Sequence, residues 1–169
     1  MTQDAEEIVW SGNYIVTKRR GPWEYVERAR NIGAAVVLAV EDGHVLLVEQ
    51  WRVPLQRRCL ELPAGLVGDE AEDEDVVTSA ARELEEETGW RPDRVEIVGD
   101  FASSPGMVSE MFTLVTAHGL IKMGDGGGLG GENITVHRVA LDEVSDFIAT
   151  KRDEGCAIDA KLLLLLSVI

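Results

Sequence analysis

Between residues 71 and 88 the chain must form a helix, and that helix carries its charge against its own stability. Val76, Val77, Ala80, Ala81 and Leu84 recur at the 3.6-residue period and line one face. Gly89 stands where a helix ends in a left-handed residue, and Pro92 forbids continuation. On this helix the run Arg82-Glu83-Leu84-Glu85-Glu86-Glu87 sets Glu83 and Glu87 side by side, four residues apart, at the edge of the apolar face. Glu86 lies on the same flank further round, and Glu85 points to solvent. Like charges at that spacing repel, so a helix shaped only for stability gains from a lysine there. Two carboxylates pressed together at a half-buried edge call for a cation, and hard oxygen ligands suit Mg2+ or Mn2+ rather than zinc. A bare glutamate run has an alternative reading, a solvated acidic face.

The surroundings of the helix read mainly as strands. Residues 8–17 form a strand region with a turn at Gly12-Asn13, and residues 23–28 alternate apolar and polar. Residues 32–40 and 45–48 flank Asp42-Gly43, a strong hairpin signal. Strands resume at 95–101, 111–117 and 134–140, and helices are expected at 141–152 and 158–169. Residues 124–131 are rich in glycine and lack the strand-to-helix context of a phosphate-cradling loop, so they read as a flexible connection. With 169 residues, 45% of them hydrophobic, one α+β domain over 1–169 is expected.

The formal net charge of -15 argues against a nucleic-acid partner, which needs basic stripes. An acidic chain still accepts an anionic small molecule if metals and a few arginines neutralise it locally. The first seven residues lack the basic-then-apolar order of a signal peptide, and the apolar run at 162–166 is too short to span a bilayer. Cys59 and Cys156 show no ligand spacing. A cytoplasmic protein without membrane attachment is expected.

Gly68, Glu74, Arg82, Glu83, Leu84, Glu86, Glu87, Gly89 and Trp90 fit G-x5-E-x7-R-E-U-x-E-E-x-G-U, where U is bulky and apolar, at every place. These residues resemble the signature of the Nudix hydrolases. Pro63-Ala64-Gly65 lies just upstream, so either Gly65 or Gly68 is the structural glycine of the motif. Val48-Glu49-Gln50-Trp51-Arg52-Val53-Pro54, Glu61-Leu62-Pro63-Ala64-Gly65 and Ser103-Ser104-Pro105-Gly106-Met107-Val108-Ser109-Glu110 resemble segments of ADP-ribose and nucleoside-diphosphate-sugar pyrophosphatases.

The resemblance implies an α/β/α sandwich of the Nudix type: a mixed sheet with the Nudix loop-helix-loop, preceded by antiparallel strands over about 1–31 that help build a homodimer. It implies Mg2+, with Mn2+ as a substitute, held by Glu83, Glu87 and Glu86 with the backbone carbonyl of Ala64. It implies hydrolysis of a nucleoside diphosphate sugar, ADP-ribose to AMP and ribose 5-phosphate foremost. GDP-mannose or another nucleotide sugar is the alternative within the class, and a non-catalytic nucleotide-sugar sensor the alternative outside it. Arg52 is expected to fork onto a phosphate, and Arg82 to orient the glutamates by an ion pair. Glu132 is expected as general base, with Glu110 as its assistant, its replacement or a ribose ligand, and Glu86 as an acidic residue of the same catalytic set. Trp23, Trp51, Glu49 and Met107 are the further expected substrate contacts. His44, His118 and His137 are too dispersed to assemble into a site.

Overall fold

The computed structural model describes residues 4–29, 32–68 and 74–167. The expected helix start at 71–73 and the last two residues of the expected C-terminal helix lie outside them.

The chain opens with a three-stranded antiparallel sheet, β1 (Glu6–Ser11), β2 (Ile15–Arg20) and β3 (Trp23–Arg28). The Gly12-Asn13 turn separates the first two strands as expected. β4 (Gly33–Glu41) and β5 (His44–Arg52) then form a hairpin about Asp42-Gly43. The two strands pair only near the turn and diverge. β4 continues between β7 (Ala64–Val67) and β10 (Met111–His118), while β5 continues between β6 (Arg57–Glu61) and β12 (Thr135–Ala140). β9 (Arg94–Ala102) closes the first half against β10, and β13 (Ala157–Ile158) closes the second against β6. β8 (Trp90–Arg91) and β11 (Ile121–Lys122) form a short separate ladder.

This splayed sheet is covered on both faces, which is why β4 and β5 read as nearly unbroken apolar runs. Ala35, Val37 and Ala39 of β4 face helix α1 (Val76–Thr88), whose Ala80 and Leu84 are fully buried. Val36 and Leu38 face the other way, into a core shared with helix α2 (Val144–Asp153) and with Leu162 and Leu165 of a C-terminal 3-10 helix (Ala160–Ser167). That last segment was expected to be α-helical. Its five consecutive leucines carry no amphipathic period to hold an α-helix against one surface, and the tighter helix starts from a turn at Asp159.

α1 begins at Val76, the first residue of its apolar pattern, and Glu74 and Asp75 of the expected span stand before it. Asp75 caps it by accepting hydrogen bonds from the N–H groups of Val77 and Thr78, both at 3.0 Å. Gly89 ends it with φ of 75°. The buried stripe is also shifted, to Ser79, Ala80, Leu84, Glu87 and Thr88. Glu87 therefore lies inside the fold, where the helical wheel had placed it at the edge.

Candidate active site

β7 runs along α1, from Ala64 beside Glu87 to Leu66 beside Ser79, and creates the environment of its glutamates. The N–H of Ala64 donates to Glu87 Oε2 at 3.1 Å. One residue on, a Cβ added to Gly65 would sit 2.1 Å from Glu83 Cδ. Glycine is required there because the carboxylate packs directly on the backbone. Gly65 thus makes the close approach, and Gly68, at φ 84°, turns the chain after β7. The N–H of Ala64 serves Glu87, a bond separate from the metal contact expected of its carbonyl.

Glu83 and Glu87 open into a cleft of about 370 Å3. Glu87 is 6% exposed. Burial raises its pKa to about 8; the Ala64 N–H and Arg52 work against that rise, while the charges of Glu83 and Glu132 reinforce it. Arg82 lies behind the cleft and reaches Glu74 through Nε and Nη2, both at 3.3 Å, and Glu83 and Glu86 through Nη1, both at 3.1 Å. It is the expected orienting ion pair. Glu86 is held at Arg82 and does not line the cleft, and Glu85 pairs outward with Arg91. Among the described residues no three His, Cys, Asp or Glu side chains stand ready as a metal cluster. The donor set nevertheless fits a hard divalent cation. Two carboxylates face one space, one of them pushed toward protonation by burial and, less strongly, by its like-charged neighbours, and a dication removes that penalty.

Opposite the glutamates is Arg52. Its Nε and Nη2 grip both oxygens of Glu61 at 2.6 Å, so the fork expected on a phosphate is closed on a carboxylate that is only 4% exposed. Arg52 still lines the cleft, with Nη1 and its two N–H donors beyond that fork. Lys161 of the C-terminal 3-10 helix lines it too.

Glu132 and Glu110 both reach the cleft. Glu132 Oε2 accepts from the N–H of Leu129 at 2.9 Å. Glu110 forms a short ion pair with Arg28 and accepts from Ser103 Oγ at 3.4 Å. The 103–110 segment is pinned to β3 by Val26 N–H to Met107 O and Ser109 N–H to Val26 O, both 3.0 Å. Met107 takes part in that pinning through its backbone, and its side chain is 63% exposed. Trp23 lies in a separate cavity of about 570 Å3 with Tyr25, Pro105 and Gly106.

Two expected contacts fall elsewhere. Strand alternation sends Gln50 and Arg52 of β5 into the cleft and Glu49 and Trp51 to the opposite face. Trp51 is half exposed there. Glu49 is buried among Arg58, His137 and Lys151, at 2.5, 3.0 and 3.0 Å. Gln50 was overlooked, although its parity with Arg52 was readable. Arg28, Ser103, Glu61 and Lys161 were overlooked because only tertiary folding brings them to the cleft.

The NUDIX domain model matches residues 29–162. Among curated relatives, the methanol dehydrogenase activator of Bacillus methanolicus is 38% identical, over 75% of this chain and 68% of its own length. The ADP-ribose pyrophosphatase of Bacillus subtilis is 36% identical, over 69% of this chain and 65% of its own. These matches thus span about two thirds of each relative's length. A crystal structure described as an ADP compounds hydrolase superposes with a TM-score of 0.70 at 20% identity, covering 88% of this chain and 82% of the other, and speaks for the fold alone. The mixed sheet, its covering helices and the glutamates of α1 agree with these matches: the chain belongs to the Nudix hydrolases, among relatives that include ADP-ribose pyrophosphatases.

Proposed function

We propose that the chain hydrolyses the pyrophosphate bond of a nucleoside diphosphate sugar, ADP-ribose to AMP and ribose 5-phosphate foremost, with Mg2+ as cofactor and Mn2+ able to replace it. The observation that carries this reading is the placement of Glu83 and the buried Glu87 across one cleft from Arg52. Glu83 and Glu87 would hold the cation, which when bound supplies the positive charge that the diphosphate and an attacking water both need. Glu86 acts behind them through Arg82.

Arg52 offers its remaining donors to the diphosphate, and Glu61 fixes the guanidinium plane while it does so. Glu132 takes the proton of the attacking water as the new P–O bond forms and the anhydride P–O bond breaks. Glu110, held by Arg28, takes the ribose hydroxyls or replaces Glu132 as base. Trp23 provides a stacking face for the base beyond Glu110, with Met107 beside it.

We assign the partner of the N-terminal sheet to a second copy of this chain. Ile8, Val9 and Trp10 of β1 are 61, 54 and 55% exposed, a run of apolar side chains that a partner copy would cover. No described helix is long and apolar enough to cross a membrane, and the net charge speaks against nucleic acid. We place its action in the cytoplasm as part of this proposal.

The test is incubation with ADP-ribose, GDP-mannose, NADH and diadenosine polyphosphates, with and without Mg2+. Metal-dependent release of AMP from ADP-ribose is the expected result. Preferential cleavage of GDP-mannose moves the substrate within the class. No metal-dependent monophosphate release from any of them refutes the enzymatic reading.

A further inference from the structure

The cleft does not stop at Arg52. Arg52, Glu61 and Lys161 also wall a second cavity of about 310 Å3 on the side away from the N-terminal sheet. On the near side, Arg28 and Glu110 are shared with a cavity of like volume, about 310 Å3, that in turn shares Glu27 and Ser109 with the Trp23 cavity. The spaces therefore form a row from aromatic cavity to metal-side cleft to this far chamber. A nucleoside diphosphate sugar has the same order: base, diphosphate, sugar.

The far chamber has the mixed lining that a sugar needs. Pro54, Leu55 and Ile158 supply apolar wall, which suits the C–H face of a ring. Asp159 and Lys161 supply the polar edge. The Asp159 side chain accepts the N–H of Lys161 through Oδ1 at 2.8 Å and pairs with Lys161 Nζ through Oδ2. A carboxylate has about four acceptor positions and an ammonium three donors, so both keep capacity beyond their mutual contact. Backbone bonds hold the pair in place, from Asp159 N–H to Leu60 O and from Leu162 N–H to Asp159 O, both at 3.0 Å.

We infer that Asp159 and Lys161 form the subsite for the sugar phosphate half of the substrate, with Asp159 accepting from sugar hydroxyls and Lys161 donating to the sugar-side phosphate. The inference rests on the proposed nucleotide-sugar hydrolysis and names the end of the substrate that each cavity receives. Asp159 selects polyhydroxylated groups in this chamber. An unsubstituted terminal phosphate gains only the contact to Lys161.

The experiment measures binding of the two product halves separately, by calorimetry, in the wild type, Asp159→Asn and Lys161→Met. Asparagine keeps an acceptor for the Lys161 N–H, so the turn at 159 survives while the charge is lost. Ribose 5-phosphate should bind the wild type and bind each variant about tenfold more weakly, the cost of one charged hydrogen bond. AMP should bind all three alike, and KM for ADP-ribose should rise with little change in kcat. Unchanged ribose 5-phosphate binding in both variants, equal weakening toward AMP, or no ribose 5-phosphate binding by the wild type overturns the subsite. A wild type that shows the binding pattern yet turns over no nucleotide sugar removes the proposed reaction and leaves the subsite standing.

Discussion

The N–H of Gly128 donates to the carbonyl oxygen of Glu86 at 3.0 Å, and this bond ties the loop bearing Glu132 to the helix bearing Glu83 and Glu87. Gly127 N–H reaches the Glu87 carbonyl at 2.9 Å, and Met123 and Gly124 reach that of Gly89 at 2.8 and 3.1 Å. A helix leaves its last carbonyls without internal partners, and here the glycine-rich segment supplies them. Its first half is therefore a clamp on the helix end, whereas its composition alone reads as a flexible connection.

Gly128→Ala tests whether the clamp positions Glu132. A Cβ there would sit 2.2 Å from Glu132 Oε2, and the residue has a φ of 76°. The carboxylate must move, and the backbone is strained as well. We expect kcat to fall by about ten- to a hundredfold, the range of a displaced general base, with KM nearly unchanged. Steady-state kinetics beside a melting curve check this. An unchanged kcat in a folded variant takes the base role from Glu132 and passes it to Glu110.

Glu87 predicts an unusual dependence of stability on pH. Its pKa is raised from the ordinary carboxylate value to about 8, so the folded state holds a proton that the unfolded state has released. Stability from this group is complete below the unfolded value, near 4.5, and is lost as pH rises through about 8. In metal-free buffer, Glu87→Gln should be more stable than the wild type at pH 8 by a few kcal/mol, on the order that linkage allows, and nearly equal to it at about pH 4, below the unfolded value. Mg2+ should stabilise the wild type at pH 8 and leave the variant unmoved, while the variant loses turnover. Thermal melts at both pH values, with Mg2+ or EDTA, decide the matter; a variant less stable at pH 8 would show that Glu87 does not carry this cost.

Arg52 and Glu61 make a second pair with separable roles. Lysine keeps the charge of Arg52 but has no planar fork to match both Glu61 oxygens. Arg52→Lys should raise KM for ADP-ribose by about tenfold with a small loss of stability, as expected for trading a bidentate for a single contact. Arg52→Ala should be destabilised by about 3–5 kcal/mol, since Glu61 is left as a buried charge without its cation. Denaturant titration and initial-rate kinetics separate the two effects. Equal KM in Arg52→Lys and the wild type would show that the arginine serves Glu61 alone.

The parts of this fold legible in the sequence are those set by local rules. Asp42-Gly43 fixes its hairpin, Gly89 ends α1, and the helical period puts Glu83 beside Glu87. What escaped depends on contacts distant in sequence. Glu87 became a buried group because β7 folds over it, and β7 was not visible as a strand: Ala64-Gly65-Leu66-Val67 has no alternation to read. β6 escaped for a similar reason, since Cys59, Leu60 and Glu61 are all buried and erase the period of two. Lys161 enters the cleft only because β13 pairs with β6 and delivers the following turn there.

Glu49 is where the sequence assignment and the structure part most clearly, and one substitution separates them. As a substrate contact, Glu49→Gln would raise KM and spare the fold. The structure places its carboxylate on the face of β5 opposite the cleft, within 3.0 Å of His137 and Lys151 and 2.5 Å of Arg58. Burial alone would raise its pKa, but hydrogen bonds from Lys151, Arg58 and His137 outweigh it and hold the value at about 2. Its contribution to stability is thus present above the unfolded value near 4.5 and is lost as pH falls through about 2. Glutamine keeps the shape but leaves Arg58 and Lys151 facing each other without the charge between them. We expect Glu49→Gln to lose about 2–4 kcal/mol at pH 7, the scale of a shifted carboxylate and its severed pairs, with the gap narrowing as pH falls toward 2. KM for ADP-ribose should stay within about twofold of the wild type, since no group in the cleft has changed. Urea titrations across pH, run beside kinetics at 25 °C, give both readings. A raised KM at unchanged stability would return Glu49 to the substrate.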